Sequence, residues 1–257
     1  ILVAWQAADL ARRHGWEEEA RRRFAALPPA PRLAARARLE EDPRERLGPA
    51  EEAIGEDPLY YPAWYIKGRA WLELGEEDEA EKALARAHAL CPTWPPAIFD
   101  LGQARLLQGR KGEAARLFAL YLERRPGDRP AAFKLLHLLV RMPGREGEAR
   151  RLLARLRREE PEDREAAFLA AVLLDLEGRH EEAARGYAEL AGPGDYGAAA
   201  AFNLGWLRLK KLDDPAGALA AFRTYLDQAE ADSAAAVAER LQARLHILQL
   251  RERGVGR

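Results

Sequence analysis

Between residues 61 and 94 the apolar side chains recur with a helical period in two separate stretches. The first stretch predicts a helix over Pro62–Leu74, which Gly75 closes because glycine readily adopts the left-handed conformation that ends helices. The second stretch predicts a helix over Glu77–Leu90, and Pro92 stops it because proline cannot continue a helix. The segment therefore predicts a helical hairpin.

Small and large side chains are placed within this hairpin so that its two helices can pack closely. Gly68 and Ala80 allow the helix backbones to approach each other. Trp64 and Leu84 are large enough to fill the space beside them. With Pro92, these residues stand at offsets that resemble the tetratricopeptide repeat (TPR), a helix-turn-helix unit of about 34 residues. The resemblance implies an all-α fold, a right-handed superhelical solenoid of TPR hairpins.

The same spacing recurs along the chain, which strengthens the resemblance. In the next segment, for example, Gly102 and Phe118 take the places of Gly68 and Leu84. The sequence thus predicts five TPR repeats within residues 59–232, namely 61–94, 95–128, 129–163, 164–197 and 198–232.

Both ends of the chain depart from this regular pattern. Residues 1–58 predict two divergent TPR-like repeats. In the second of them, Asp42 is a favourable N-cap and Pro43 follows it at the first helical position. Pro49 then predicts that the helix is short or kinked. At the other end, residues 233–252 predict a C-terminal capping helix.

The capping helix carries one apolar stripe in its sequence. Ser233 is predicted to be its N-cap. Val237, Leu241, Leu245 and Leu248 then follow one another at helical spacing, so that they share a face. We expect this stripe to cover the last exposed face of the core, because repeat arrays need a terminal helix for that purpose.

The amino-acid composition and net charge argue against several classes of function. A net charge of −1 argues against a general nucleic-acid-binding protein, which usually carries an excess of basic residues. No apolar run approaches the length that a membrane-spanning helix needs. Cys91 is the only cysteine, so no internal disulfide framework exists. Arginine outnumbers lysine by 35 to 6 and there is a single asparagine, a composition that favours a thermophilic bacterium as the source.

The chain begins with Ile1 and not with methionine, which is compatible with a segment of a longer protein. We expect a cytoplasmic location. A membrane-anchored or exported parent protein stays open as the alternative.

The sequence shows no catalytic constellation. The five histidines are spread over separate repeats, and none has a second ligand at metal-binding spacing. There is neither a Gly-rich phosphate loop nor a nucleophile elbow. We therefore expect no enzymatic activity, no cofactor and no bound metal.

The TPR resemblance implies that the first helix of each repeat lines a concave groove. The fifth position is aromatic in each of the five TPR repeats predicted within residues 59–232, namely Tyr65, Phe99, Phe133, Phe168 and Phe202. Other groove positions hold Arg69, Gln103, Leu106, Lys134, His137, Val140, Leu169, Val172, Asn203 and Trp206. Two interpretations stay open. The groove is an apolar trough for a partner, since contiguous apolar surface marks interaction sites, or the aromatic residues only pack between helices.

Asn203 is the only asparagine and stands at the sixth position of its repeat. In peptide-binding members of the family, an asparagine there can bind the ligand backbone, because its amide both donates and accepts hydrogen bonds. Carboxylate-clamp members also use a set of basic residues to hold acidic tails. The basic groove residues of this chain do not match that set.

The resemblance implies a non-catalytic scaffold that binds a peptide or helix of a partner protein in its concave groove. The alternative is a regulatory or localisation TPR module of a larger enzyme or sensor. An RNA-binding helical repeat is a third interpretation, and the lack of a basic groove argues against it. The sequence names neither the partner nor the oligomeric state.

Overall fold

The structure, a computed structural model, describes residues 16–228 and 234–255. Within those residues all regular secondary structure is α-helical, as the sequence predicts. The helices are α1 (Glu17–Phe24), α2 (Pro29–Leu39), α3 (Pro43–Glu56), α4 (Tyr61–Leu74), α5 (Glu77–Leu90), α6 (Pro95–Leu107), α7 (Lys111–Arg124), α8 (Arg129–Val140), α9 (Glu146–Glu159), α10 (Arg164–Leu176), α11 (His180–Leu190), α12 (Gly197–Lys210), α13 (Pro215–Gln228) and α14 (Ala234–Glu252).

The chain divides into two compact units, an N-terminal unit that ends at Leu135 and a C-terminal unit that begins at Leu136. In the N-terminal unit, consecutive helices pack on each other from α1 through α7. In the C-terminal unit, the same holds from α9 to α14. Each unit is thus a set of stacked helical hairpins, which confirms the predicted fold class at the level of each unit.

Helix ends follow from local sequence. α4 and α5 lie within one residue of the bounds predicted for them. Gly75 ends α4 with a φ of 78°, and its N–H donates to the carbonyl oxygen of Leu72 at 3.1 Å. At the start of α3, the Oδ1 atom of Asp42 accepts from the backbone N–H of Arg44 at 2.8 Å, as expected of an N-cap. The predicted repeat boundaries themselves remain a proposal.

The hydrophobic core of each unit lies between neighbouring hairpins. In the N-terminal unit, Leu84 of α5 is fully buried in one cluster with Ile98 and Leu101 of α6. In the C-terminal unit, Tyr187 of α11 is buried in one cluster with Leu207 of α12. Because successive helices share each cluster, a hairpin completes its core only against its neighbours.

Helix α3 corrects one sequence-based prediction, because it runs through Pro49 over 14 residues and is not short. A proline inside a helix loses one backbone hydrogen bond and costs about 3 kcal/mol or more. Pro49, Ala50 and Ala53 are buried on α3, the two alanines in a cluster with residues of α2 and α4. We infer that this burial offsets the cost.

Helix α14 corrects a second prediction, since it packs through a different face from the expected one. Ala243, Ile247 and Leu250 are buried against residues of α12 and α13. Leu241, Leu245 and Leu248, which were expected to cover the core, are exposed. The helix has two apolar faces, and the one with the smaller side chains fits against α13. The predicted N-cap at Ser233, like the predicted features of residues 1–15, lies outside the described residues.

Candidate functional site

Polar side chains on the first helices of the N-terminal unit form a connected chain. The Nε atom of Arg69 on α4 lies 3.6 Å from Oδ2 of Asp100 on α6. Gln103 donates from Nε2 to Oδ1 of Asp100 at 3.1 Å. Lys134, in the middle of α8, donates from Nζ to Oε1 of Gln103 at 3.0 Å. Four side chains from three successive first helices are therefore held in fixed orientations, and three of them were predicted groove residues.

Asp100 lies at the centre of this chain with only 8% of its surface exposed. Burial raises the pKa of its carboxyl group, because an ionised carboxylate is poorly solvated there. A hydrogen bond with Tyr65 and the charges of Arg69 and Lys134 act in the opposite direction. Sequence reasoning missed the role of Asp100. The available signal was a carboxylate between two apolar residues, Phe99 and Leu101.

A small polar cavity of about 260 Å³ adjoins this chain. Its lining comprises Arg38, Arg46, Ile66, Arg69 and Glu73. Glu73 bridges two of the arginines, since its Oε2 atom lies 2.6 Å from Nη1 of Arg46 and its Oε1 atom 3.2 Å from Nη2 of Arg69. Arg46 also donates to the carbonyl oxygens of Glu40 and Glu41. Arg46 therefore joins α3 to the end of α2 and to α4, a role that no sequence pattern indicated.

The aromatic residues at the fifth repeat position mostly pack within their own hairpins. Tyr65 and Phe133 are 4% and 8% exposed. Phe99, Phe168 and Phe202 are half-buried. Their ring centroids lie 5.0 to 5.9 Å from rings of the second helix or the following turn, in the pairs Phe99–Phe118, Phe99–Tyr121, Phe168–Tyr187, Phe168–Tyr196, Phe202–Phe222 and Phe202–Tyr225. These contacts leave only part of each ring for a partner.

In the C-terminal unit, Glu165 on α10 connects two neighbouring side chains. Its Oε1 atom lies 2.7 Å from Nε2 of His137. It also accepts a hydrogen bond from the hydroxyl group of Tyr196, and burial together with this carboxylate raises the pKa of Tyr196 to about 12. Tyr196 has a φ of 64°, in the left-handed region that non-glycine residues rarely adopt. The turn before α12 thus holds the tyrosine ring beside Phe168.

The remaining predicted residues differ in how much surface they present. In the C-terminal unit, Val140 and Leu169 are buried and Val172 is half-buried. Asn203 is half-buried and forms a hydrogen bond with the Tyr187 hydroxyl, so part of its amide is already engaged. Trp206 is 40% exposed and is the most accessible aromatic of the predicted set. In the N-terminal unit, Leu106 is half-buried.

Comparison with known proteins identifies the fold. No protein-family model and no curated protein matches the chain. Among solved structures, YrrB, described as a TPR protein with an unusual peptide-binding site, superimposes with a TM-score of 0.56 and 21% identity, over 69% of this chain and 91% of YrrB. This chain therefore has the TPR fold.

Two further solved structures are similar in fold to this chain. MamA (residue 41 to the end) from Desulfovibrio magneticus RS-1 matches with a TM-score of 0.56 and 18% identity, over 65% of this chain and 93% of MamA. A tetratricopeptide repeat protein from Parabacteroides merdae matches with a TM-score of 0.51 and 17% identity, over 95% and 97% of the two chains. These likenesses confirm the TPR resemblance drawn from the sequence.

Two general features concern the part of the chain that the structure describes. None of its helices there combines the length and the apolar character needed to cross a membrane. Among the same residues, no three His, Cys, Asp or Glu side chains come together as metal ligands would. Cys91 is a half-buried free cysteine.

Proposed function

We propose that this protein, which has the TPR fold, is a non-catalytic scaffold that binds a peptide or helix of a partner protein along the first helices of its repeats. The observation that carries the proposal is the chain of polar side chains from Arg69 through Asp100 and Gln103 to Lys134. YrrB, which has the same fold, is described as having a peptide-binding site, and this supports the proposal.

The polar chain suits peptide recognition because its donors are already positioned. Lys134 is half-buried, and its Nζ atom lies 5.2 Å from the ring centroid of Phe99. A cation fixed between a ring and an amide loses little rotamer freedom on binding, which lowers the cost of association. Arg69 and Lys134 have N–H groups beyond those in the contacts above, and these can donate to carbonyl or carboxylate oxygens of a peptide.

The C-terminal unit supplies a different kind of contact. Trp206 is partly exposed on α12. Asn203 lies three residues before it on the same helix. Tryptophan is enriched among residues that dominate binding energy, because it buries a large area with few rotatable bonds. We propose Trp206 as the apolar anchor of this unit and Asn203 as its polar neighbour.

The test is selection of peptides from a random display library on the intact protein, followed by titration of the selected peptides. We expect Lys134→Ala or Trp206→Ala to weaken binding of at least one selected peptide about tenfold, the effect of a true hot spot. Lys111→Ala is the matched control, because Lys111 is an exposed lysine at the start of a second helix. Equal affinity for all three variants, or no enriched peptide, would overturn the proposal.

A further inference from the structure

The last described helix, α14, has two apolar faces on opposite sides. Ala243, Ile247 and Leu250 form the face that is buried against α12 and α13. Leu241, Leu245 and Leu248 form the other face, and 54 to 60% of each leucine is exposed. These three leucines, here called the leucine stripe, follow spacings of four and three residues. They therefore lie in one row along the helix.

Three leucines in one exposed row differ from isolated surface leucines, which are common and carry no meaning. The packing of the preceding hairpin shows which kind of element binds such a face. Helix α12 packs on α11 on one side and on α13 on the other. Helix α14 packs on α13 through its smaller face. The leucine stripe is thus equivalent to the face with which α12 meets α13, and its shape suits another helix.

The side chains that border the leucine stripe indicate the charge of a partner helix. Arg244 and Arg251 are exposed and Arg240 is half-buried, and all three border the same edge of the leucine stripe. The opposite edge carries the exposed and uncharged Gln242 and Gln249. A helix that packs on the stripe therefore places one of its own edges beside a row of arginines. Acidic residues on that edge are attracted and basic residues are repelled.

A second copy of α14 fits this arrangement poorly. In an antiparallel pair of identical helices, like edges face each other, so the arginine rows of the two copies would meet. In a parallel pair, the arginine row would meet the glutamines and gain no charge pairing. The same edge that disfavours self-association favours a partner of opposite charge.

We propose that the leucine stripe binds an amphipathic helix of a partner protein whose apolar face is bordered by Asp or Glu residues. This site lies on α14 and is separate from the proposed peptide contacts on the first helices of the repeats. The mode of binding is a helix laid along an apolar face, in which leucines of the partner pack between Leu241, Leu245 and Leu248.

The proposal is tested with two synthetic helical peptides that share one leucine row, one bordered by Glu and the other by Lys, titrated into the intact protein by fluorescence anisotropy. We expect the Glu peptide to bind saturably and about tenfold or more tightly than the Lys peptide. Its affinity should fall as salt concentration rises. Leu245→Glu should abolish binding, and Arg244→Glu should reduce the preference for the Glu peptide, because only Arg240 and Arg251 then remain on that edge.

Folding is checked separately. Leu245 is exposed, so Leu245→Glu should leave the thermal melt unchanged, whereas Ile247→Ala on the buried face should lower the melting temperature. The proposal is overturned if neither peptide binds saturably, or if Arg244→Glu leaves the preference unchanged. It is also overturned if sedimentation shows a dimer that Leu245→Glu dissociates, because a second copy then covers the stripe. Lys134→Ala should not affect either peptide, which separates this test from that of the proposed function.

Discussion

Gly102 on α6 faces the ring of Phe118 on α7 so closely that an added Cβ atom would lie 2.8 Å from the ring carbon Cε1. Real Cβ atoms essentially never approach another atom so closely. Two other hairpins have the same close contact between their helices. A Cβ atom added to Gly68 would lie 2.5 Å from Cγ of Leu84, and a Cβ atom added to Gly205 would lie 2.7 Å from Cε1 of Phe222. In each hairpin a large side chain of the second helix occupies the space that glycine leaves.

Gly102→Ala should therefore destabilise the protein by about 1–3 kcal/mol, because the ring of Phe118 is fully buried and has little room to move. The matched control is Gly55→Ala, since Gly55 is also helical but an added Cβ there meets nothing within 4 Å. That variant should gain about 0.5–1 kcal/mol from helix propensity. Urea unfolding measures both. Destabilisation of equal size in the two variants would show that close approach at Gly102 is not the cause.

Phe133 and Trp206, both predicted groove residues, should behave differently when truncated. Phe133 is 8% exposed, so Phe133→Ala should cost about 3–5 kcal/mol through lost burial and a cavity. Trp206 is 40% exposed, and Trp206→Ala should cost about 1 kcal/mol or less. Thermal melts of the two variants decide between packing and a free surface for each residue. A near-native melt for Phe133→Ala would restore it as a residue of the binding surface.

The sequence predicted the hairpins well because the signals that determine them are local. Gly75 and Asp42 act within a few residues of their own position, and the small residue at Gly102 is paired with Phe118 at a fixed offset within one repeat. The helical period then leaves little choice of which face is buried. For these reasons the all-α fold and the bounds of α4 and α5 followed from the residues.

The side-chain network and the last helix did not follow, because they depend on neighbours that are distant in sequence. The role of Asp100 requires Arg69 and Lys134, which come from other repeats. On α14, both apolar faces satisfy the helical period, and hydrophobicity alone favours the one with Leu245. The structure buries the face with Ile247 because its neighbour Ala243 allows close packing on α13. Such complementarity between surfaces is not encoded in either helix alone.

We expect Arg164 to stabilise the turn between α11 and α12 through two hydrogen bonds. Its Nε atom donates to the carbonyl oxygen of Asp195 at 2.8 Å and its Nη2 atom to that of Leu190 at 2.9 Å. Lysine keeps the charge but has no second donor at the right distance. Arg164→Lys should therefore cost about 1.5–3 kcal/mol, the contribution of hydrogen bonds from a charged group.

The control for this prediction is Arg185→Lys, because Arg185 is an exposed arginine on α11. It should change stability by less than about 0.5 kcal/mol. Hydrogen exchange provides a second measurement, since amides of the turn from Gly192 to Tyr196 should exchange faster in Arg164→Lys. Unchanged exchange together with unchanged stability would mean that the turn holds its conformation without Arg164.

Asp100 should make stability depend on pH in a direction opposite to that of most carboxylates. Burial raises the pKa of its carboxyl group in the folded protein above the ordinary value of 3.8. The folded state then holds a proton that the unfolded state has lost. The stabilising contribution is fully present below pH 3.8 and is lost as the pH rises through the folded-state pKa. Asp100→Asn has no such proton to lose.

The free energy of unfolding of the wild type, relative to that of Asp100→Asn, should therefore fall with rising pH by about 1.4 kcal/mol for each unit by which the pKa is raised. Urea unfolding of both proteins between about pH 4 and pH 7 measures the difference. Arg69→Ala should enlarge the fall, because the charge of Arg69 favours the ionised carboxylate and its removal raises the pKa of Asp100 further. A difference that rises with pH would show that Arg69, Lys134 and the Tyr65 hydrogen bond together outweigh burial, and that Asp100 acts as a stabilising carboxylate.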